Sequence, residues 1–263
     1  MDLGLKGKVA LLAASSRGLG RAVAEELAAE GASLVLTARG APALRAAAEE
    51  LTARHGVPVL ALPADVAVPG EPARLVGEGI ARFGRIDVLL TNSGGPPAGP
   101  FESLTREAWS QATALVLGSV IEFCEASLPG MKQRGWGRIL NVCSIAAKQP
   151  VDNLMLSNSI RAAVIGFART LATEVAPFGV TVNNLLPGFT RTERMVELSE
   201  VTAKKEGITR EAALARYAAQ VPMGRMAEPR EFAALAAFLA SERASYITGQ
   251  SMAVDGGWIR ALL

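Results

Sequence analysis

Apolar residues recur along this chain with two spacings. Short continuous apolar runs suit strands covered on both faces, and longer stretches that repeat every three or four residues suit amphipathic helices. The runs predict strands over 9–13, 33–37, 57–62, 87–90, 138–143, 181–186 and 251–254. The longer stretches predict helices over 22–30, 42–54, 72–83, 104–132, 154–176 and 229–239. In 154–176, Leu156, Ile160, Val164, Phe167, Leu171 and Val175 keep close to a helical period. A more polar helical insertion occupies about 193–220 and contains Lys204-Lys205-Glu206-Gly207.

Strands that alternate with helices imply an α/β fold. The expectation is a single doubly wound, Rossmann-type domain with about seven parallel strands and helices on both faces. No linker, low-complexity tract or repeat interrupts residues 1–263, so one domain is expected.

Composition narrows the class. Half of the 263 residues are hydrophobic and a fifth are charged, which suits a buried core and excludes disorder. The net charge is +2 and the basic residues are scattered, which argues against nucleic acid as a partner. Two cysteines, Cys124 and Cys143, make no disulfide framework and suit a reducing cytoplasm. No apolar run approaches the ~18 residues of a membrane span, so no membrane partner is expected. The apolar segment after Lys6-Gly7-Lys8 is too short for a signal peptide and reads as the first strand. No cluster has metal-ligand spacing.

The first strand runs into Ala14-Ser15-Ser16-Arg17-Gly18-Leu19-Gly20 and then a helix. Strand, glycine-rich turn, helix and strand make the first unit of a dinucleotide-binding fold. Gly18 and Gly20 let backbone amides approach a pyrophosphate, which the positive end of the helix favours. A glycine pair alone also fits a simple tight turn. The second strand ends in Thr37-Ala38-Arg39, with no acidic residue to hold a ribose diol. Arg39, helped by Arg17, could instead bind a 2′-phosphate, so NADP(H) is expected over NAD(H). The alternative is that both are solvated surface arginines.

Several further motifs resemble the short-chain dehydrogenase/reductase family over nearly the whole chain. They are the glycine turn, Asp65-Val66, Asn92-Ser93-Gly94, Gly137 to Val142 with Ser144, Pro187-Gly188 with Thr192, the 244–250 segment and Val254-Asp255-Gly256-Gly257. The nearest look-alikes are 3-oxoacyl-carrier-protein reductases. The resemblance implies that Asp65-Val66 hold an adenine and Asn92-Ser93-Gly94 flank a ribose. It also implies that Pro187-Gly188 and Thr192 face a nicotinamide amide, and that the insertion closes over a small-molecule substrate. Homotetramers or homodimers are implied, packed through the 104–132 and 154–176 helices.

Four positions depart from the family pattern. Ala14 replaces the first glycine of the turn, where alanine resists backbone angles that glycine accepts. Val116 stands where a relay asparagine is expected and cannot hydrogen-bond a water. Ser157 replaces a tyrosine and Arg161 a lysine, at the family's spacing from Ser144. The register is secure, because no tyrosine occurs between Ala108 and Arg216. A phenol with pKa near ~10 can supply a proton at neutral pH when a cation lowers it. Serine is a far weaker acid, and arginine holds its protons too tightly to give one up.

Replacements for the missing acid are scarce. His55 is expected in a solvated loop. Cys143 reads as a buried strand residue, and Tyr217 either packs or serves as an acid. Lys148 and Asp152 lie in the loop after the fifth strand. Three functions remain open. The first is an NADP-dependent oxidoreductase centred on Ser144, Ser157 and Arg161. The second is a non-catalytic NADP(H)-binding sensor or oligomer partner. The third is a hydride-free activity like that of halohydrin dehalogenases, which pair Ser and Tyr with Arg.

Overall fold

The structure is a computed structural model that describes residues 2–262. Seven strands form one parallel sheet in the order β3-β2-β1-β4-β5-β6-β7. They are β1 (Val9–Leu12), β2 (Ser33–Ala38), β3 (Val59–Pro63), β4 (Val88–Thr91), β5 (Gly137–Val142), β6 (Val180–Pro187) and β7 (Ser251–Val254). The expected strands all form, with ends shifted by at most two residues. Central β1, β4 and β5 are buried along their whole length. That is why they read as unbroken apolar runs.

The helices are α1 (Gly18–Ala29), α2 (Ala41–His55), α3 (Glu71–Phe83), α4 (Arg106–Thr113), α5 (Ser119–Arg134), α6 (Met155–Val175), α7 (Glu193–Glu206), α8 (Arg210–Ala219) and α9 (Pro229–Ala240). Two hydrophobic clusters fill the two faces of the sheet. One holds Val35, Leu89, Ile139, Phe123, Leu156 and Val164, and the other holds Leu12, Leu27, Leu36, Leu140 and Phe232. The strand order reverses direction between β1 and β4. In a sheet of this kind that crevice, beyond the C-terminal strand ends, is where ligands bind.

The expected long helix forms as one stretch, Arg106–Arg134, in which a π-helical turn over Ala114–Gly118 joins α4 to α5. The 193–220 insertion is two helices, since Gly207 ends α7 in a left-handed conformation (φ 66°). The Arg106–Arg134 stretch contains a window long and apolar enough, by length and composition, to cross a membrane. In the fold it packs Val116, Val120, Phe123 and Cys124 into the core.

Candidate active site

The glycine turn is built from backbone. Ala14 has φ 49°, so this alanine holds the left-handed angle a glycine would hold more cheaply. Ser15 is fully buried, its Oγ donating to Leu12 O (2.8 Å) and accepting from Thr37 N (3.2 Å). That hydroxyl welds the ends of β1 and β2 together. A Cβ on Gly20 would come 2.4 Å from Ala14 O, so only glycine lets α1 approach the turn. Helix α1 has no acidic residue in its first turn and no side-chain cap, which leaves its N-terminal amides for an anion.

A cleft of about 590 Å³ opens beside this turn, lined among others by Ser16, Arg17, Gly18, Arg21 and Arg191. Arg17 is exposed, with its Nη1 3.0 Å from Glu197 Oε1 on α7. Arg39 is exposed at the end of β2. Asp65, after β3, accepts from Ala67 N (3.0 Å) and is followed by buried Val66. Leu19 lies in the first turn of α1, and Asn92, Ser93 and Gly94 follow β4. Pro187 ends β6, and Thr192 caps α7 through Met195 N (3.4 Å). All of these stand at the C-terminal edge of the sheet.

The second half of the site lies where β5 leads into α6. Ser144 caps a short 3-10 turn, Ile145–Ala147, and its Oγ accepts from Ala146 N at 3.1 Å. Accepting that bond leaves the hydroxyl proton free to be donated. The 3-10 turn packs against α6, which carries Ser157 and Arg161 one turn apart. Ser157 is 8% exposed and Arg161 7% exposed. Arg161 Nη1 donates to Val142 O (2.7 Å) and Nη2 to Gly94 O (2.6 Å). Both partners are carbonyls, so the buried charge is hydrogen-bonded without being neutralised. Burial pushes the guanidinium below the usual arginine value.

This fork ties the loop after β4 to the end of β5. A second tie runs from Gly99 N to Asn153 O (2.6 Å), with Asn153 in the left-handed region at φ 59°. Beneath both, a buried polar ladder crosses four strands. Thr91 Oγ1 donates to Asn141 Oδ1 (2.8 Å), Asn141 Nδ2 to Asn184 Oδ1 (3.0 Å) and Asn184 Nδ2 to Ser251 Oγ (3.0 Å). Satisfied buried networks of this kind fix register.

Val116 lies in the π-helical turn, 3% exposed, in the same apolar cluster as Cys143, Leu156 and Ile160. The turn itself has no sequence signal, although such bulges concentrate at functional sites. The other candidates are paired, packed or exposed. His55 is not in a solvated loop: it is the last residue of α2, with Nε2 2.6 Å from Glu25 Oε1. Cys143 is buried and its thiol is pushed up to about 11 by that burial. Tyr217 stacks on Phe189, with ring centroids 5.2 Å apart. Lys148 and Asp152 are exposed in the loop after β5. Gln149 of that loop, which the sequence did not single out, accepts from Arg260 N (3.0 Å) and so anchors the C-terminal tail.

Known proteins carry the same frame. A family model described as enoyl-(acyl carrier protein) reductase matches residues 13–259. The NADPH-dependent reductase BacG of Bacillus subtilis is 32% identical over 256 residues, covering 97% of this chain and 99% of the relative. The 3-oxoacyl-[acyl-carrier-protein] reductase FabG of Escherichia coli is 33% identical, covering 97% and 98%. The crystal structure of L-sorbose reductase from Gluconobacter frateurii, complexed with NADPH and L-sorbose, matches with a TM-score of 0.96 at 36% identity over the whole of both chains. The chain belongs to the short-chain dehydrogenase/reductase family.

Proposed function

We propose that this protein is an NADPH-dependent reductase of a small carbonyl compound, with Ser144, Ser157 and Arg161 where relatives are expected to keep serine, tyrosine and lysine. The observation that carries this reading is Arg161. It is a buried guanidinium with carbonyl partners at 2.6 and 2.7 Å, beside the loop that bears Ser144. A buried cation without a carboxylate is expensive to keep, and a developing oxyanion is the partner that would repay it.

The nucleotide end fits the cofactor: the glycine turn excludes a Cβ at Gly20 and α1 presents uncapped amides. Ser15 to Gly20 would cradle the pyrophosphate, with the Ser15 hydroxyl serving the turn itself. Arg17 and Arg39 would take the 2′-phosphate, and Asp65-Val66 the adenine. Asn92 to Gly94 and Arg161 would border the ribose, and Pro187, Gly188 and Thr192 the nicotinamide amide. When bound, NADPH supplies the hydride that the carbonyl carbon gains. Ser144 donates its free hydroxyl proton as a hydrogen bond to the carbonyl oxygen, and Arg161 adds positive potential there. The proton that completes the alcohol reaches the oxygen through a water held by Ser157.

Helices α7 and α8 serve as the substrate lid of a single domain. The exposed sides of α4–α5 and α6 serve as the faces of a homodimer or homotetramer. Buried, unbridged Cys124 and Cys143 suit a cytoplasmic protein. Turnover on a carbonyl substrate that survives both Ser144→Ala and Arg161→Ala unchanged overturns the catalytic assignment.

One observation favours a second reading, a non-catalytic NADP(H)-binding protein. The same guanidinium bonds make Arg161 a structural fork even with no substrate present. That reading predicts measurable NADPH affinity and no oxidation of it by any carbonyl.

A further inference from the structure

The N-terminal half of α7 carries two carboxylates to the glycine turn, and the chemistry above uses neither. Thr192 caps this helix, and Glu193 and Glu197 lie one turn apart, on the same side of it. Glu193 lines the cleft beside the turn together with Ser16, Arg17 and Gly18. Its Oε2 lies 3.6 Å from the position that a Cβ on Gly18 would take. One turn further on, Glu197 Oε1 accepts from Arg17 Nη1 at 3.0 Å.

Both carboxylates stand at positions that suit an anion. Gly18 opens α1, which has neither a side-chain cap nor an acidic residue in its first turn. Such a helix end attracts negative charge, and the charge brought beside it is Glu193, from a distant part of the chain. Arg17 is the cation of the turn itself. Its pair with Glu197 leaves 62% of one side chain and 48% of the other exposed, so it adds little stability and yields readily to a competing anion.

The other arginines of the cleft are held differently. Arg21 pairs with Glu25 (2.8 Å) and Glu50 (3.0 Å), Arg54 with the same two carboxylates (3.0 and 2.7 Å), and Arg191 with Glu228 (3.5 Å). The first two sets tie α1 to α2, and the third ties the loop before α7 to the start of α9. Among the described residues, Arg17–Glu197 is the one ion pair that joins α7 to the glycine turn. Whatever anion takes Arg17 therefore also releases that helix.

We propose that Glu193 and Glu197 form a latch that occupies the cofactor's phosphate positions in the nucleotide-free protein. Glu193 stands in for the pyrophosphate at the start of α1, and Glu197 stands in for the 2′-phosphate on Arg17. A dinucleotide displaces the first, and only one with a 2′-phosphate displaces the second, so α7 responds to NADPH and not to NADH. This rests on the NADPH-binding part of the proposed function, and the test separates the two. Calorimetry measures NADPH and NADH binding to the wild type, Glu193→Gln, Glu197→Gln, Arg17→Ala and the double variant Arg17→Ala/Glu197→Gln. Hydrogen exchange of the 193–199 amides is followed in the same proteins without nucleotide.

Glu197→Gln should lower the NADPH Kd about threefold and leave the NADH Kd unchanged, the scale of an exposed ion pair. Glu193→Gln should lower both by about the same factor, the scale of a charge at a helix end. The gain from Glu197→Gln should vanish when Arg17 is already alanine. Without nucleotide, the 193–199 amides should exchange about two- to fivefold faster in Glu197→Gln and in Arg17→Ala than in the wild type. NADPH binding that Glu197→Gln leaves unchanged overturns the latch and keeps the NADPH reading. A gain shared equally by NADH, or one that persists in the double variant, also overturns it, because it marks a general effect of net charge. Exchange equal to wild type in Glu197→Gln overturns it as well. If no variant binds either nucleotide, the NADPH reading fails and the latch falls with it.

Discussion

The glycine turn and the Ser144–Arg161 segment, both at the C-terminal edge of the sheet, are the two ends of the proposed site, and they respond to substitution differently. The turn is a backbone object. Ala14 takes φ 49°, an angle that glycine holds more cheaply, and keeps the path that Gly18 and Gly20 require. The second end depends on side-chain chemistry. Ser157 and Arg161 are buried on α6, and on the proposed reading their hydroxyl and guanidinium set a chemistry different from that of a phenol and an ammonium. A backbone site survives substitution if the angles survive, whereas a side-chain site changes its chemistry with every substitution.

The largest effect should come from changing the side-chain end alone. Ser157→Tyr combined with Arg161→Lys should raise kcat by about 10²–10⁴, the typical worth of a positioned general acid. Steady-state rates on a carbonyl substrate check this, and an unchanged rate in a folded double variant would mean the frame is not poised for that acid. Arg161→Ala comes next. It strands the carbonyls of Val142 and Gly94 and should lower stability by about 2 kcal/mol, with a loss of turnover; denaturant unfolding reads the first effect.

Gly20→Ala probes the backbone end. The clash with Ala14 O should cost about 1–3 kcal/mol and weaken NADPH binding, with little effect on the Ser144 loop. Ala14→Gly should do the reverse. Relief of the left-handed alanine, partly offset by glycine's entropy in the unfolded chain, should stabilise the protein by up to about 1 kcal/mol. A fall in Tm for this variant would contradict the strain assigned to Ala14.

The smallest effect is acid-dependent. Burial acts to raise the Glu25 pKa, but bonds from His55, Arg21 and Arg54 outweigh it and hold the carboxyl down at about 2, against 4.5 unperturbed. A depressed folded value means that the stabilisation is complete above about pH 4.5 and is lost as pH falls toward 2. Glu25→Gln should therefore flatten stability across that window: its cost, on the order of the roughly 0–1 kcal/mol of exposed pairs, is largest near neutrality and disappears as pH falls toward 2. Unfolding curves at several acidic pH values would show it.

The frame was legible because burial writes itself into spacing. Unbroken apolar runs such as Leu34-Val35-Leu36 mark strands covered on both faces, and residues such as Leu156, Ile160 and Val164 mark a helix face turned to the core. The π-helical turn was not legible, since one extra residue per turn leaves the apolar pattern through Val116 and Val120 readable as ordinary helix. The partner of His55 is Glu25, thirty residues away on another helix, so local composition suggested a loop. Trp258 and Phe189 are brought together only by the parallel pairing of β6 with β7. Ser157 and Arg161 were found by position, yet the bonds Arg161 makes to Val142 and Gly94 follow from a tertiary crossing that spacing does not encode.

The most direct test follows the absorbance of reduced nicotinamide in the NADPH-bound protein mixed with a panel of neutral ketones, for wild type and Ser144→Ala. The account predicts ketone-dependent NADPH oxidation by the wild type that falls at least about tenfold in Ser144→Ala. NADPH binding equal in both proteins, with no oxidation by any ketone in either, would contradict it.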